Sequence, residues 1–176
     1  MHWAIPRPLR VTAFEIGTRV LEEGIFPDDT FVGLLAIFQE EKFQHSDGSW
    51  KLVRVFEDNW EQLSEEQRRT LLPVLESNYE SFSEWMACFI ISGILGELYR
   101  NAPSFEVLQR LARCRKEVAR SLVPHGLEHI VRDTPDTELA TRASAELARM
   151  QTDHSPTVRN EVAESMARII RAKRQL

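Results

Sequence analysis

The segment His125-Gly126-Leu127-Glu128-His129 sets two imidazoles four residues apart, with a carboxylate between them. On a helix, positions i and i+4 share a face. Two such nitrogens could hold one Zn²⁺, with Glu128 as the base for a bound water. The surrounding residues argue against that use. Pro124 and Gly126 make a poor rigid platform for metal ligands. His125 and His129 are therefore expected to be surface or interhelical histidines, with no metal, no other cofactor and no catalytic residue.

Other catalytic groupings are weaker still. The chain has no G-x-S-x-G, no P-loop and no G-x-G-x-x-G. Its two cysteines, Cys88 and Cys114, are isolated and lack C-x-x-C spacing. Cys88 falls in an apolar run, where a thiol loses reactivity. Cys114 stands among Arg113, Arg115 and Lys116, which favour a thiolate, but both cysteines read as packing residues of a protein from a reducing, cytoplasmic compartment. The N-terminus, Met-His-Trp-Ala-Ile-Pro-Arg-Pro, lacks the pattern of a signal peptide.

The charged residues carry a different chemistry. The chain has 176 residues with a formal charge of −5. The first 100 residues account for −8 and the remainder for +3. The densest acidic stretch contains Asp58, Glu61, Glu65, Glu66, Glu80 and Glu84, interleaved with Phe56, Trp60, Tyr79, Phe82 and Trp85. Such a stretch would steer a basic protein partner, with aromatics as anchors. The competing expectation is a solvated acidic face over an aromatic core. Asp58, Trp60, Glu61, Glu65, Glu66 and Glu80 are the candidate partner-binding residues. Nucleic-acid binding is disfavoured by the net charge, although Arg110, Arg113, Arg115, Lys116 and Arg120 form a possible local patch.

The elements that must position these groups are helical. Phe31, Leu34, Leu35 and Phe38 keep one-face helical spacing behind Asp28 and Asp29, which can accept first-turn amides. A Ser46-Asp47-Gly48 loop follows. Val53, Phe56, Trp60 and Leu63 predict a helix from Trp50, capped by Ser49. Ser64 with Gln67 is a capping-box pattern that opens a helix kinked or broken near Pro73. A start at Ser81 or Ser83 leads into an apolar helix to Arg100 that belongs at the centre of the fold. Its longest apolar run, Trp85 to Gly96, is shorter than the roughly 18 residues of a membrane span. Close approach of a neighbouring helix would explain Gly93 and Gly96. Helices are further predicted from Ser104, over Lys116 to Val131 with Pro124 inside or dividing it, through Met150 and almost to Leu176. Ordinary composition (43% apolar, 28% charged) excludes collagen, disulfide mini-proteins and wholly disordered chains.

Two segments repeat. Arg115-Lys116-Glu117-Val118-Ala119-Arg120-Ser121-Leu122 aligns with Arg159-Asn160-Glu161-Val162-Ala163-Glu164-Ser165-Met166, 44 residues later. That offset lies inside the period of about 40–47 residues of two-helix repeats. The start Asp153-His154-Ser155-Pro156-Thr157-Val158-Arg159, continuing to Val162, Ala163 and Met166, resembles a HEAT-repeat helix. The resemblance covers about the last 75 residues and implies stacked helix pairs presenting a surface to a partner. His125 to His129 is similar to the inverzincin pattern at five residues alone. Those enzymes are much larger and take a third ligand far downstream, whereas 47 residues follow His129 here.

The expectation is an all-α protein of about eight helices in a single domain over 1–176, with an acidic helical part (1–100) and a HEAT-like part (101–176). An irregular helical bundle is the alternative. Its expected function is non-enzymatic protein binding, in general character similar to small acidic immunity proteins that neutralise a basic, nuclease-like toxin domain. A helical-repeat adaptor or assembly factor is the main alternative. A HEAT-like DNA-binding enzyme and a zinc hydrolase follow it. No membrane association is expected.

Overall fold

The computed structural model describes Thr18, Val20 and residues 22–39, 50–77 and 79–174. The Ser46-Asp47-Gly48 loop, the Ser49 cap and the N-terminal residues 1–8 lie outside them. Among the described residues there is no strand, and eight bounded α-helices account for most of the chain. No helix among them is long and apolar enough to cross a membrane. The chain divides into two compact units, Met1–Ser81 and Phe82–Leu176. The division falls just before the apolar helix rather than near residue 100.

In the first unit, α1 is Asp28–Gln39, α2 is Trp50–Asp58 and α3 is Glu65–Ser77. Asp29 accepts the Thr30 amide at 2.8 Å, using one of the free N–H groups of α1's first turn. Phe31, Leu34 and Phe38 are buried, as the spacing predicts. Val53, Phe56, Trp60 and Leu63 are buried too. Their helix, however, ends at Asp58 and resumes as a 3₁₀ turn over Trp60–Gln62. Phe26, Phe31 and Phe56 pack as a triad with ring centroids 6.0–6.3 Å apart.

The capping box forms as expected. Gln67 N–H donates to Ser64 Oγ, and Ser64 N–H donates to Gln67 Oε1 at 2.8 Å. The other end of the Gln67 amide donates to Phe26 O and Asp28 Oδ1, tying the start of α3 to the start of α1. Pro73 leaves α3 continuous through Ser77.

In the second unit, α4 is Glu84–Ala87, and Ser83 Oγ accepts the Met86 amide at its start. The chain then widens into a π-helix, Cys88–Leu98, closed by Tyr99 N–H donating to Ile94 O. Next come α5 (Ala102–Leu111), α6 (Glu117–Asp133), α7 (Thr137–Met150) and α8 (Pro156–Lys173). Asn101, Asp136 and Ser155 cap α5, α7 and α8. Asn101, expected to end the apolar helix, thus also starts the next one. Ser104 sits buried inside α5, donating to Leu95 O.

The π-helix is buried from Ile90 to Gly96. The hub of the unit is nonetheless α6, which packs on the π-helix, α5, α7 and α8. Pro124 sits within it without dividing it. Cross-helix contacts give the chain directions. Arg142 lies over Phe105, and Arg149 donates to Ala112 O, so α5 and α7 run parallel. Arg120 meets Asp153, and Glu128 meets Arg168, so α6 and α8 run parallel as well. The helix pairs α5–α6 and α7–α8 therefore stack in the same sense.

Gly96 meets Gly126 where the π-helix crosses α6. A Cβ on Gly96 would lie 2.5 Å from Gly126 Cα, and one on Gly126 would lie 2.7 Å from Ile91 O. Both obstacles are backbone, so neither can swing away. Gly96→Ala is expected to destabilise by about 3 kcal/mol, the upper range for overpacking. Urea unfolding checks this, and an unchanged midpoint would show that the crossing is not tight.

Candidate functional site

The candidate partner-binding residues of the first unit are surface groups, with one exception. Asp58, Glu61 and Glu65 are 58%, 79% and 50% exposed at the side chain. Glu66 and Glu80 are exposed as well. Asp58 pairs with Arg54 at 3.4 Å and Glu65 with Arg69 at 3.1 Å, both one turn away on their own helices. Glu80 accepts the Tyr79 hydroxyl. Glu65 and Glu66 sit in the first turn of α3, where the helix dipole favours negative charge.

Trp60 is the exception. It is 1% exposed, so its expected role as a surface anchor is corrected to a core role. The helical spacing with Val53 and Phe56 that buries it was visible in the sequence. Arg68 covers the indole at 5.5 Å and donates to Trp60 O. Phe56 and Phe82 are core residues too. Trp85 is the exposed aromatic of the acidic stretch, at 63%, stacked on Phe89, and it belongs to the second unit.

Two of the basic candidates, Arg120 and Arg113, belong to separate ion-pair networks. Arg120 is 3% exposed and holds Asp153 at 3.0 Å, so it is not a surface contact. It also donates to Cys114 O. Burial raises the Asp153 pKa, but the Ser155 amide and Arg120 outweigh it and the net shift is downward. Arg113 and Arg149 converge on Glu146, which is 5% exposed. Burial again raises the pKa, and the hydrogen bonds from Arg149 and Arg113 reverse it.

The His125–His129 segment has the densest polar geometry. Glu128 is 1% exposed and accepts from Arg132 Nη1 at 2.9 Å and Arg168 Nε at 2.6 Å. A carboxylate clamped by two guanidiniums points away from the role of water-activating base. The two imidazoles do share a face. Their Nε2 atoms are 3.2 Å apart, with ring centroids at 4.9 Å. His129 Nδ1 lies 3.3 Å from Asp133 Oδ2, and Arg168 Nη2 lies 3.3 Å from His125 Nδ1.

This network assigns the tautomers. Arginine can only donate, so His125 Nδ1 accepts and its proton sits on Nε2. That proton is donated to His129 Nε2, and His129 carries its own proton on Nδ1, toward Asp133. Burial, and then His129, lowers the His125 pKa below its usual 6.5, which favours the neutral ring. His125 reaches α8 through Arg168, whereas His129 meets His125 and Asp133 on its own helix. The residue that sequence reading missed is Arg168, which enters from 40 residues away.

Two predictions follow from these bridges. Glu128→Gln leaves two arginines facing a neutral amide and should cost about 3–5 kcal/mol, measured by denaturant unfolding. A loss below 1 kcal/mol would show the clamp to be solvated. Glu146 and Asp153 both have lowered folded-state pKa values. Their stabilisation is therefore complete above the ordinary carboxylate range and is lost as pH falls through the lowered values. Melting temperature followed from neutral pH into acid should fall less steeply in the Asp153→Asn variant than in the wild type.

No protein-family model, curated protein or solved structure matches the chain.

Proposed function

We propose that the protein is a non-enzymatic binding module that recognises a basic protein partner through the acidic surface of its first unit. The observation that carries this reading is the exposure of Asp58, Glu61, Glu65, Glu66 and Glu80. Their neighbouring arginines are few and spoken for: Arg54 and Arg69 pair locally, and Arg68 is turned onto Trp60. Exposed carboxylates in this number attract a cationic surface over a Debye length of about 8 Å at physiological salt. A basic toxin domain, neutralised as immunity proteins neutralise theirs, is the partner class this chemistry fits best.

A second reading rests on a separate observation. The parallel stacking of α5–α6 on α7–α8 is the arrangement by which helical-repeat adaptors build a contact surface. On that reading the second unit supplies the binding face.

Charge reversal separates the two. Glu61→Lys combined with Glu65→Lys removes two exposed ion pairs and sets a positive charge in the first turn of α3, so stability should fall by no more than about 1–2 kcal/mol. Association with a basic partner, captured from native cells and measured by surface plasmon resonance, should slow by about tenfold at low salt and by much less at high salt. Unchanged association, with the partner retained, would shift the contact to the second unit.

A further inference from the structure

His125 and His129 bring two ring nitrogens together on one face of α6. Two imidazole nitrogens come within 3.2 Å when a proton or a metal ion lies between them, because their lone pairs otherwise repel. A tetrahedral Zn²⁺ with bonds of about 2.0–2.1 Å separates two of its nitrogen ligands by about 3.4 Å. The pair is thus within a few tenths of an ångström of a chelating bite.

We propose that His125 Nε2 and His129 Nε2 form a two-histidine chelate for a divalent transition-metal ion of the imidazole-preferring class, such as Zn²⁺ or Cu²⁺. Two features of the surroundings favour it. Solvent can reach the site, since His125 is 37% and His129 16% exposed at the side chain. Asp133 stands 3.3 Å behind His129 Nδ1, where an accepting carboxylate orients a ligating imidazole and strengthens it as a donor. Among the described residues no set of three or more His, Cys, Asp and Glu side chains gathers as a metal site, so water fills the remaining coordination positions.

The proton count is simple. The metal takes the place of the proton between the two Nε2 atoms, and that proton moves through solvent to His125 Nδ1. Both rings stay neutral and none is released. Nδ1–H can no longer accept from Arg168, which keeps its bonds to Glu128 and Ser165. It faces Glu128 Oε2 instead, now 3.8 Å away. Binding therefore exchanges one partner of His125 on the α6–α8 seam. Because Glu128 is committed to arginines, it is not placed to activate a metal-bound water. The site stands independently of the acidic surface, and each proposal can fail without the other.

The test is isothermal titration of the full chain with Zn²⁺ near neutral pH, beside His125→Ala, His129→Gln, Asp133→Asn and His154→Ala. The expected result is one saturable Zn²⁺ per chain, lost in both His125→Ala and His129→Gln. Binding should weaken by about tenfold in Asp133→Asn and stay unchanged in His154→Ala, whose histidine is exposed elsewhere. Wild-type affinity in either chelate variant, or no saturable binding, would overturn the proposal. Electron paramagnetic resonance of the wild type with one equivalent of Cu²⁺ guards against variants that misfold. Hyperfine coupling to two imidazole nitrogens supports the chelate, and coupling to one or none refutes it.

Discussion

The second unit is organised around a carboxylate that has no access to water. Glu128 is 1% exposed, and an isolated charge there would cost several kcal/mol in lost hydration. Two guanidiniums offset that cost. Arg132 comes from the next turn of the same helix, so it places no demand on the fold. Arg168 comes from α8, and its short bond to Glu128 requires α8 to lie parallel to α6 at one register. Sliding α8 by a turn would strand the carboxylate. The apolar face of α8, with Val158, Val162 and Ile169 buried, would tolerate such a slip far better.

The same device recurs at the other contacts of the stack. Asp153 accepts Arg120 across α6 and the start of α8, and Glu146 accepts Arg113 and Arg149 between the end of α5 and α7. Each bridge joins a buried or nearly buried acid to an arginine distant in sequence. Paired buried charges of this kind add little net stability over an apolar core, but they penalise wrong registers heavily. The Gly96–Gly126 crossing adds a steric constraint on the opposite side of α6. Held between these, α6 presents His125 and His129 together along its remaining polar edge. Their converging nitrogens follow from the i, i+4 spacing on α6, and Arg168 fixes which nitrogen of His125 carries the proton.

The first unit is held by different means. Its interior is aromatic and aliphatic, with Phe26, Phe31, Phe56 and Trp60 at its centre. One polar side chain, Gln67, links two helix starts through the amide at its tip. The exposed acidic groups lie outside this core: Asp58 and Glu65 pair within their own helices, and Glu61 reaches Arg68 of α3 at 3.9 Å.

Sequence alone determined the helices and many of their ends. Caps and periodicity are local, and Ser64 with Gln67, Ser83 and Asp136 act within three residues of themselves. The burial of Val53, Phe56 and Leu63 and the close approach at Gly96 were legible for the same reason: spacing and residue size state which face must be covered. Only the tertiary structure decided what covers it. That Trp60 is core rather than anchor, that Glu128 turns inward, and that His125 meets Arg168 all depend on neighbours tens of residues away. The five-residue motif carries the same letters whether its glutamate faces water or an arginine. Chain packing, acting through desolvation and charge, selects between those two chemistries.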